Sequence, residues 1–345
     1  MNTATIYNMD CIPGMGEQLA ENSVDLCVSS IPFGALFMYS GKPQDIGNNN
    51  DGVDMEAGQF GLHMRFFIEQ LQRVLKPGRN ACIHIQQLLR YLNQHGYMGR
   101  RDFRGAVIEM FSQGGLEWVG EVVIPKNPQA MAQRLSLHSL MFVTGKRNAT
   151  KLAPAVNDYI LIFQKPGDPA EPVKALKCAE LNPKGWVTSE EWIAWASGVW
   201  ADGWKDITED MQLEGYHDCL REMLRLEWQH DGIWSDIQET DVLDGWKAAR
   251  GSDEEKHVCP LQLEVIRRCI KLYTNPGDLV LDPFMGIGST AYVALEQGRN
   301  AIGFELHDNY HVQALRNVAK IQKQLQADRE CDLFAMAAVT GVPPT

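Results

Sequence analysis

Leu279-Val-Leu-Asp-Pro-Phe-Met-Gly-Ile-Gly-Ser-Thr290 is the most informative run in the 345-residue chain. Residues Leu279–Asp282 read as a strand and Gly286-x-Gly288 as a turn. Ser289 and Thr290 supply hydroxyls able to cap a helix that runs to Gln297 and stops at Gly298. Glycines at such a turn let the backbone approach a ligand with no Cβ in the way. Seventeen residues past Gly288, the strand Asn300-Ala-Ile-Gly-Phe-Glu305 ends in a carboxylate that could accept hydrogen bonds from two ribose hydroxyls. Together these parts describe a nucleoside cofactor site. Gly286-x-Gly288-x-x-Ala291 also satisfies the loose dinucleotide pattern, so a nicotinamide-dependent oxidoreductase stays open at this point.

Working outward, Val24–Ser29, Asn80–Ile85, Trp118–Ile124, Tyr159–Phe163 and Ala301–Glu305 are further apolar runs of strand length. Phe60–Leu75 places Phe67, Leu71, Val74 and Leu75 on one helical face and is expected to stop at Lys76-Pro77-Gly78. Leu261–Tyr273 repeats the pattern with Val265, Ile266, Cys269 and Ile270 and stops at Asn275-Pro276-Gly277. Near-continuous apolar strands alternating with amphipathic helices predict an α/β fold with a mostly parallel sheet. Hydrophobic residues at 45% and charged residues at 22% exclude a disordered or fibrous chain. No apolar stretch has the length of a membrane span, and the first ten residues lack a basic stretch followed by an apolar one. The eight cysteines are scattered without a C-x-x-C pair, so no disulfide framework or zinc site is expected, and a reduced cytoplasm fits. Cys27, Cys82 and Cys269 read as core residues, and His307 and His311 as a solvated helix start with no third metal ligand.

The net charge of −12 argues at face value against a nucleic-acid partner. The acidity is local. Trp186–Glu255 holds eighteen Asp or Glu against five Lys or Arg, so the remaining residues carry a net +1. The same segment holds eight of the nine tryptophans and reads as an inserted subdomain whose core most of them should form. Between Arg100 and Lys151 lie eight basic residues and four acids, a candidate phosphate-contacting surface. Its members include Arg100, Arg101, Arg104, Lys126, Arg134, Lys146 and Arg147.

Val24-Asp-Leu-Cys-Val-Ser-Ser-Ile-Pro-Phe33 is an apolar strand running into a polar residue, a proline turn and an aromatic ring. Ser30-Ile31-Pro32-Phe33 resembles the Ser/Asp/Asn-Pro-Pro-aromatic motif of the DNA amino-methyltransferases, which methylate exocyclic amines with S-adenosylmethionine. Asp282-Pro283-Phe284-Met-Gly286-Ile-Gly288 looks like their cofactor motif. His257-Val-Cys-Pro260-Leu-Gln-Leu263 is similar to the segment packing over the methionine end, and Tyr7-Asn-Met-Asp10-Cys11 resembles the strand-end acid near the adenine. The catalytic motif precedes the cofactor motif, the permuted order of the family's beta group of bacterial and phage enzymes. The resemblance covers about 1–165 and 236–325. It departs from the family at Ile31, where the usual first proline is missing, and at about 202–234, an expansion of the target-recognition region.

The resemblance implies a Rossmann-like methyltransferase fold with a seven-stranded, mostly parallel sheet and an inserted target-recognition subdomain. The catalytic part would span 1–165, the target-recognition region 166–255, the cofactor part 256–328 and a tail 329–345. S-adenosyl-L-methionine would lie against Asp10, Cys11, His257, Pro260, Asp282, Pro283, Phe284, Gly286, Gly288, Ser289, Thr290 and Glu305. The Ser30 side chain and the Ile31 carbonyl would accept hydrogen bonds from the amine of a flipped base, Pro32 would shape the turn, and Phe33 would stack on the base. Ser30 favours cytosine N4, because serine accompanies cytosine in the family and its hydroxyl can also donate to ring N3; adenine N6 is the alternative. No metal is needed. Double-stranded DNA is the expected partner, with a homodimer and a protein partner at the acidic insert as further expectations, in a bacterial or phage-infected cytoplasm. A non-catalytic DNA-binding or DNA-mimicking protein on the same fold is the reading from another class. Replacing Asp202–Trp234 by a short linker is expected to leave salt-sensitive DNA binding intact in a titration over ionic strength. Loss of all binding would place the acidic segment in recognition.

Overall fold

The computed structural model describes residues 2–34, 42–46, 58–90, 96–97, 99–127, 131–132, 138–153, 157–174, 234, 236–245, 249 and 260–340. Chain order begins with β1 (Ala4–Tyr7), α1 (Cys11–Gln18), β2 (Val24–Ser30), α2 (Gln59–Val74) and β3 (Leu75–Gln86). The hairpin β4 (Leu88–Arg90) and β5 (Gly99–Arg101), α3 (Phe103–Gln113), β6 (Glu117–Ile124), α4 (Phe142–Arg147) and β7 (Asp158–Gln164) follow. The chain continues with α5 (Leu263–Tyr273), β8 (Leu279–Asp282), α6 (Ser289–Glu296), β9 (Asn300–Phe304) and α7 (Asp308–Thr340).

Seven strands form one sheet in the order β1-β9-β8-β2-β3-β7-β6. The pairs from β1 through β3 are parallel, and β7 runs antiparallel to both β3 and β6. The sheet is buried on both faces, and that is why its strands read as unbroken apolar runs. Leu26, Val28, Cys82, Ile160 and Ile162 face a core shared with α5, α6 and α7. Their neighbours Cys27, Ala81, Ile83, Leu161 and Phe163 face the opposite core with Met15 of α1, Phe67 and Leu71 of α2, and Phe103 and Phe111 of α3. Cys27, Cys82 and Cys269 are fully enclosed, as their apolar neighbours implied. Phe111 stacks on Phe163 with ring centroids 4.4 Å apart.

Connections from β8 to β9 run toward one edge of the sheet, and those from β2 to β3 toward the other. The order therefore reverses between β2 and β8. Open α/β sheets bind ligands outside the carboxyl ends of the strands at such a reversal. Ser30 ends β2 and Asp282 ends β8.

Several local expectations fail for physical reasons. Lys76-Pro77-Gly78 does not separate helix from strand: α2 ends at Val74, Leu75 is already extended (φ −67°, ψ 136°), and β3 runs through the proline and glycine. Leu75 takes its place by pairing with Val24, and Gly78, at φ +69°, donates its amide to the Lys165 carbonyl at 2.8 Å. The hydroxyls at 289 and 290 do not cap α6, because Gly288 occupies the cap position in the left-handed conformation and makes no side-chain bond. Trp234 is 2% exposed and lies in the core beside Val122 and Ile124 of β6, so it belongs to the main fold and not to a separate subdomain. A linker replacement of the insert should therefore end at residue 233. The 186–233 stretch, with the other tryptophans of the acidic segment as far as Trp228, and Trp246 lie outside the described residues. Helix α7 crosses residue 329 without a break, where a tail was expected to begin. Among the described residues, no helix is long and apolar enough to cross a membrane.

Gly288→Ala should destabilise the protein by about 1–3 kcal/mol, since φ of +89° disfavours a side chain. A Cβ there would also come within 3.1 Å of the Ala314 backbone. Chemical denaturation against wild type checks this.

Candidate functional site

Asp282 is fixed by its neighbours before any ligand arrives. Its Oδ1 accepts from the Ser29 hydroxyl at 2.6 Å and from the Phe284 amide at 3.0 Å, and its Oδ2 from the Thr290 hydroxyl at 2.6 Å. Thr290 thus ties α6 to the strand end. Burial pushes the Asp282 carboxyl up, while these three donors oppose the shift. After Asp282 the chain turns through Gly286 at φ +55°, where a Cβ would meet nothing within 4 Å. That open side is where a ligand can reach the backbone.

Glu305 follows β9 and closes the turn from the other side. Its Oε2 accepts from the Gly286 amide and its Oε1 from the His307 amide, both at 2.7 Å. Desolvation in its partly buried position raises its pKa to about 7 against the pull of those two amides, and the negative charges of Asp282 and Asp45 raise it further. Asp10 caps α1 by accepting from the Ile12 amide at 2.8 Å, and burial pushes its carboxyl up too. Cys11 is buried beside it and its thiol is held well above the ordinary range, mainly by burial. Among the described residues neither Asp282 nor Glu305 has an ion-pair partner. A buried and a half-buried acid, oriented by neutral donors and with no cation among the described residues, suit a ligand that brings hydroxyl donors and positive charge. A nucleoside bearing a sulfonium and an ammonium group fits that description.

Ser30 lies beside this crevice, one residue past the Ser29 hydroxyl that bonds Asp282. The parallel register of β2 and β3 pairs Ser30 with His84, and Ser30 Oγ lies 2.8 Å from His84 Nδ1. His84 Nε2 lies 3.1 Å from Asp158 Oδ2, and Lys126 Nζ lies 2.7 Å from the same oxygen. Burial opposes ionisation of Asp158, but His84 and Lys126 outweigh it and hold its carboxyl below the usual range. Ile31, in place of the first proline, is 1% exposed within the core, so packing anchors the turn where a second ring would have stiffened it. The Phe33 ring stands edge-on to His84 and to Phe103, with centroids 5.7 and 6.3 Å away.

Of the expected phosphate contacts, two are paired with acids of the protein. Lys126 is 10% exposed on Asp158, and Arg104 Nε bonds Glu121 at 2.5 Å with its guanidinium over the Trp118 ring. Lys126 is thereby held inside the protein, while Arg104 is paired at a partly exposed position. Arg100 and Arg101 lie on β5, and Lys146 and Arg147 are exposed in the last turn of α4. Arg134 and His257 lie outside the described residues, and Pro260 just precedes α5. His311 does not sit at a solvated helix start: its Nε2 lies 3.0 Å from the Ile6 carbonyl of β1, and both it and His307 are partly buried. The sequence reading missed His84 and Asp158. A histidine interrupting Ala81-Cys-Ile-His-Ile85 was the available signal.

A doubly covered sheet with a glycine turn and an acid at successive strand ends defines a nucleoside-binding α/β protein. Family comparison makes this specific: the N6/N4 DNA methylase model matches residues 24–316, and the chain belongs to that family. Membership removes the dinucleotide oxidoreductase alternative. The type II methyltransferase M.MjaI of Methanocaldococcus jannaschii is 26% identical over 310 residues, 84% of this chain and 83% of its own length. The Escherichia coli (strain K12) protein YubD is 42% identical over 88 residues, so that match spans only 36% of its length and 25% of this chain. TTHA0409 of Thermus thermophilus, solved with S-adenosyl-L-methionine, superposes with a TM-score of 0.58 at 18% identity, covering 92% of this chain and 94% of its own. The cytosine-N4-specific PvuII DNA methyltransferase gives a TM-score of 0.55 at 16% identity, covering 94% and 91%. These two structures share the fold.

With a Glu305 pKa of about 7, cofactor affinity should rise with pH if the ionised carboxylate accepts the ribose hydroxyls. The ionised fraction grows about tenfold between pH 6 and pH 8, so titration calorimetry with S-adenosylmethionine should show a gain approaching that factor. Glu305→Gln should bind more weakly and lose the pH dependence.

Proposed function

We propose that the protein transfers a methyl group from S-adenosyl-L-methionine to the exocyclic amine of a base in double-stranded DNA, with cytosine N4 the favoured acceptor. One observation carries the reading: the Ser29–Asp282 bond joins the end of β2 to the glycine turn, which sets Ser30-Ile31-Pro32-Phe33 against the cofactor crevice. When bound, S-adenosylmethionine supplies an electrophilic methyl on a sulfonium. Glu305 and Asp10 would hold its ribose and adenine ends, and the open side of Gly286 would admit it to the backbone.

The protein's own part is positioning. An exocyclic amine is a weak nucleophile because its lone pair is delocalised into the ring. Ser30 Oγ and the Ile31 carbonyl would accept hydrogen bonds from its two N–H groups, drawing the nitrogen toward tetrahedral geometry and aiming the lone pair at the methyl. Holding the amine in line, ~3 Å from the methyl, supplies much of the acceleration. The base must leave the duplex to reach this depth, at a cost of a few kcal/mol that stacking on Phe33 would offset. Serine at position 30 supports cytosine over adenine through the family's own pattern. Its bond to His84 bears on the second argument, since a hydroxyl that donates to the imidazole is no longer available to donate to ring N3. Arg100, Arg101, Lys146 and Arg147 remain the proposed backbone contacts, with the acidic insert turned away from the phosphates or toward a protein partner.

Incubation with tritiated S-adenosylmethionine and mixed-sequence duplex DNA should place label in DNA, and hydrolysis to nucleosides should find it on N4-methylcytosine. Label on N6-methyladenine would move the acceptor. Ser30→Ala should lower the rate by about 10²-fold or more while cofactor affinity persists. No label in any DNA despite cofactor binding would favour the non-catalytic reading.

A further inference from the structure

We propose that His84 acts through Ser30 to take up the proton the acceptor amine loses, with Asp158 as its positioning partner. The inference rests on the methyltransferase reading above. Three side chains from three strands make a continuous line: Ser30 on β2, His84 on β3 and Asp158 on β7. The line starts at the crevice and leads inward, since His84 and Asp158 are 7% and 6% exposed.

The ionised Asp158 oxygen can only accept, so the His84 Nε2 beside it carries the hydrogen. In the neutral ring Nδ1 then holds the lone pair, and the Ser30 hydroxyl donates to it at 2.8 Å. Ser30 therefore turns its oxygen lone pairs toward the crevice. This polarity suits an amine, which brings protons. Lys126 Nζ holds the same Asp158 oxygen from the other side and fixes the carboxylate, while the Phe33 ring edge limits the tilt of the imidazole. Asp158 and Lys126 are the charged groups in contact with this line among the described residues.

The step balances within these groups. The amine nitrogen bonds to the methyl carbon as the carbon–sulfur bond breaks, its electron pair staying on sulfur. The nitrogen, now positive, gives one proton to Ser30 Oγ while the Ser30 proton passes to His84 Nδ1. The resulting imidazolium sits against the Asp158 carboxylate and loses its proton to water after the product leaves. A hydroxyl, an imidazole and a buried carboxylate in this order divide the same labour in serine hydrolases. Here the hydroxyl relays a proton and forms no covalent bond.

His84→Gln offers an amide oxygen to Ser30 and an amide N–H to Asp158, so it preserves the contacts but takes up no proton. Single-turnover methylation of duplex DNA should slow by about 10²-fold or more in His84→Gln, with Kd for S-adenosylmethionine and for DNA within about twofold of wild type. Because His84 acts through Ser30, the Ser30→Ala/His84→Gln double variant should lose no more than Ser30→Ala alone. A His84→Gln rate within about threefold of wild type, or losses that multiply in the double variant, would overturn the proposal. Should His84→Gln not fold by circular dichroism, the same cycle run with Asp158→Asn decides. A wild-type protein that labels no DNA would instead bring down the methyltransferase reading itself, and this proposal with it.

Discussion

The Asp282 carboxylate holds four pieces of the molecule at once. Through Ser29 it reaches β2, through Thr290 it reaches α6, through the Phe284 amide it starts the glycine turn, and its own backbone ends β8. All three bonds come from neutral donors, so the acid is satisfied sterically without being neutralised. The β2–β8 junction is where the strand order reverses, and here adjacent strands come from the two halves of the permuted chain. The crevice, the turn and the position of Ser30 all follow from this node.

The two ends of the sheet treat charge differently. At the amino ends of the strands, buried Asp25 is matched by Arg79 at 3.3 Å and Lys76 at 2.7 Å, and Arg79 also holds Asp278 at 3.1 Å. Both of these acids have a cation, as a purely structural network requires. At the carboxyl ends Asp158 has Lys126, but Asp282 and Glu305 beside the crevice have only amide and hydroxyl donors among the described residues. That contrast locates the functional end independently of any motif.

The parts legible in the sequence were those determined by local pattern. Strands buried on both faces read as continuous apolar runs, and Leu279–Asp282 matches β8 to the residue. The four residues of β1 carry too little pattern to be read as a strand, and the hairpin of β4 and β5 depends on pairing between three-residue segments. Thr290 looked like a helix cap because caps are the commonest use of a hydroxyl there, but the acid eight residues earlier competed for it at short range. Lys126 looked like a surface cation for a similar reason. Its partner Asp158 is brought alongside by the antiparallel pairing of β6 with β7, a register that composition does not encode. His84 left a trace, since a polar residue within an apolar strand must bond to something, though the sequence could not name Ser30 and Asp158 as its partners.

The pairing of β1 with β9 brings Ala4 beside Ala301 and Tyr7 beside Phe304, and the Tyr7 carbonyl accepts the Glu305 amide at 2.9 Å. Contacts between segments so distant in sequence form late, because loop closure must precede them. During synthesis the turn at Ser30 emerges long before the glycine turn and the strand that completes the nucleoside crevice. A nascent chain can thus carry the serine motif for most of its translation without a place for the methyl donor. The crevice is complete only where β9 lies between β1 and β8.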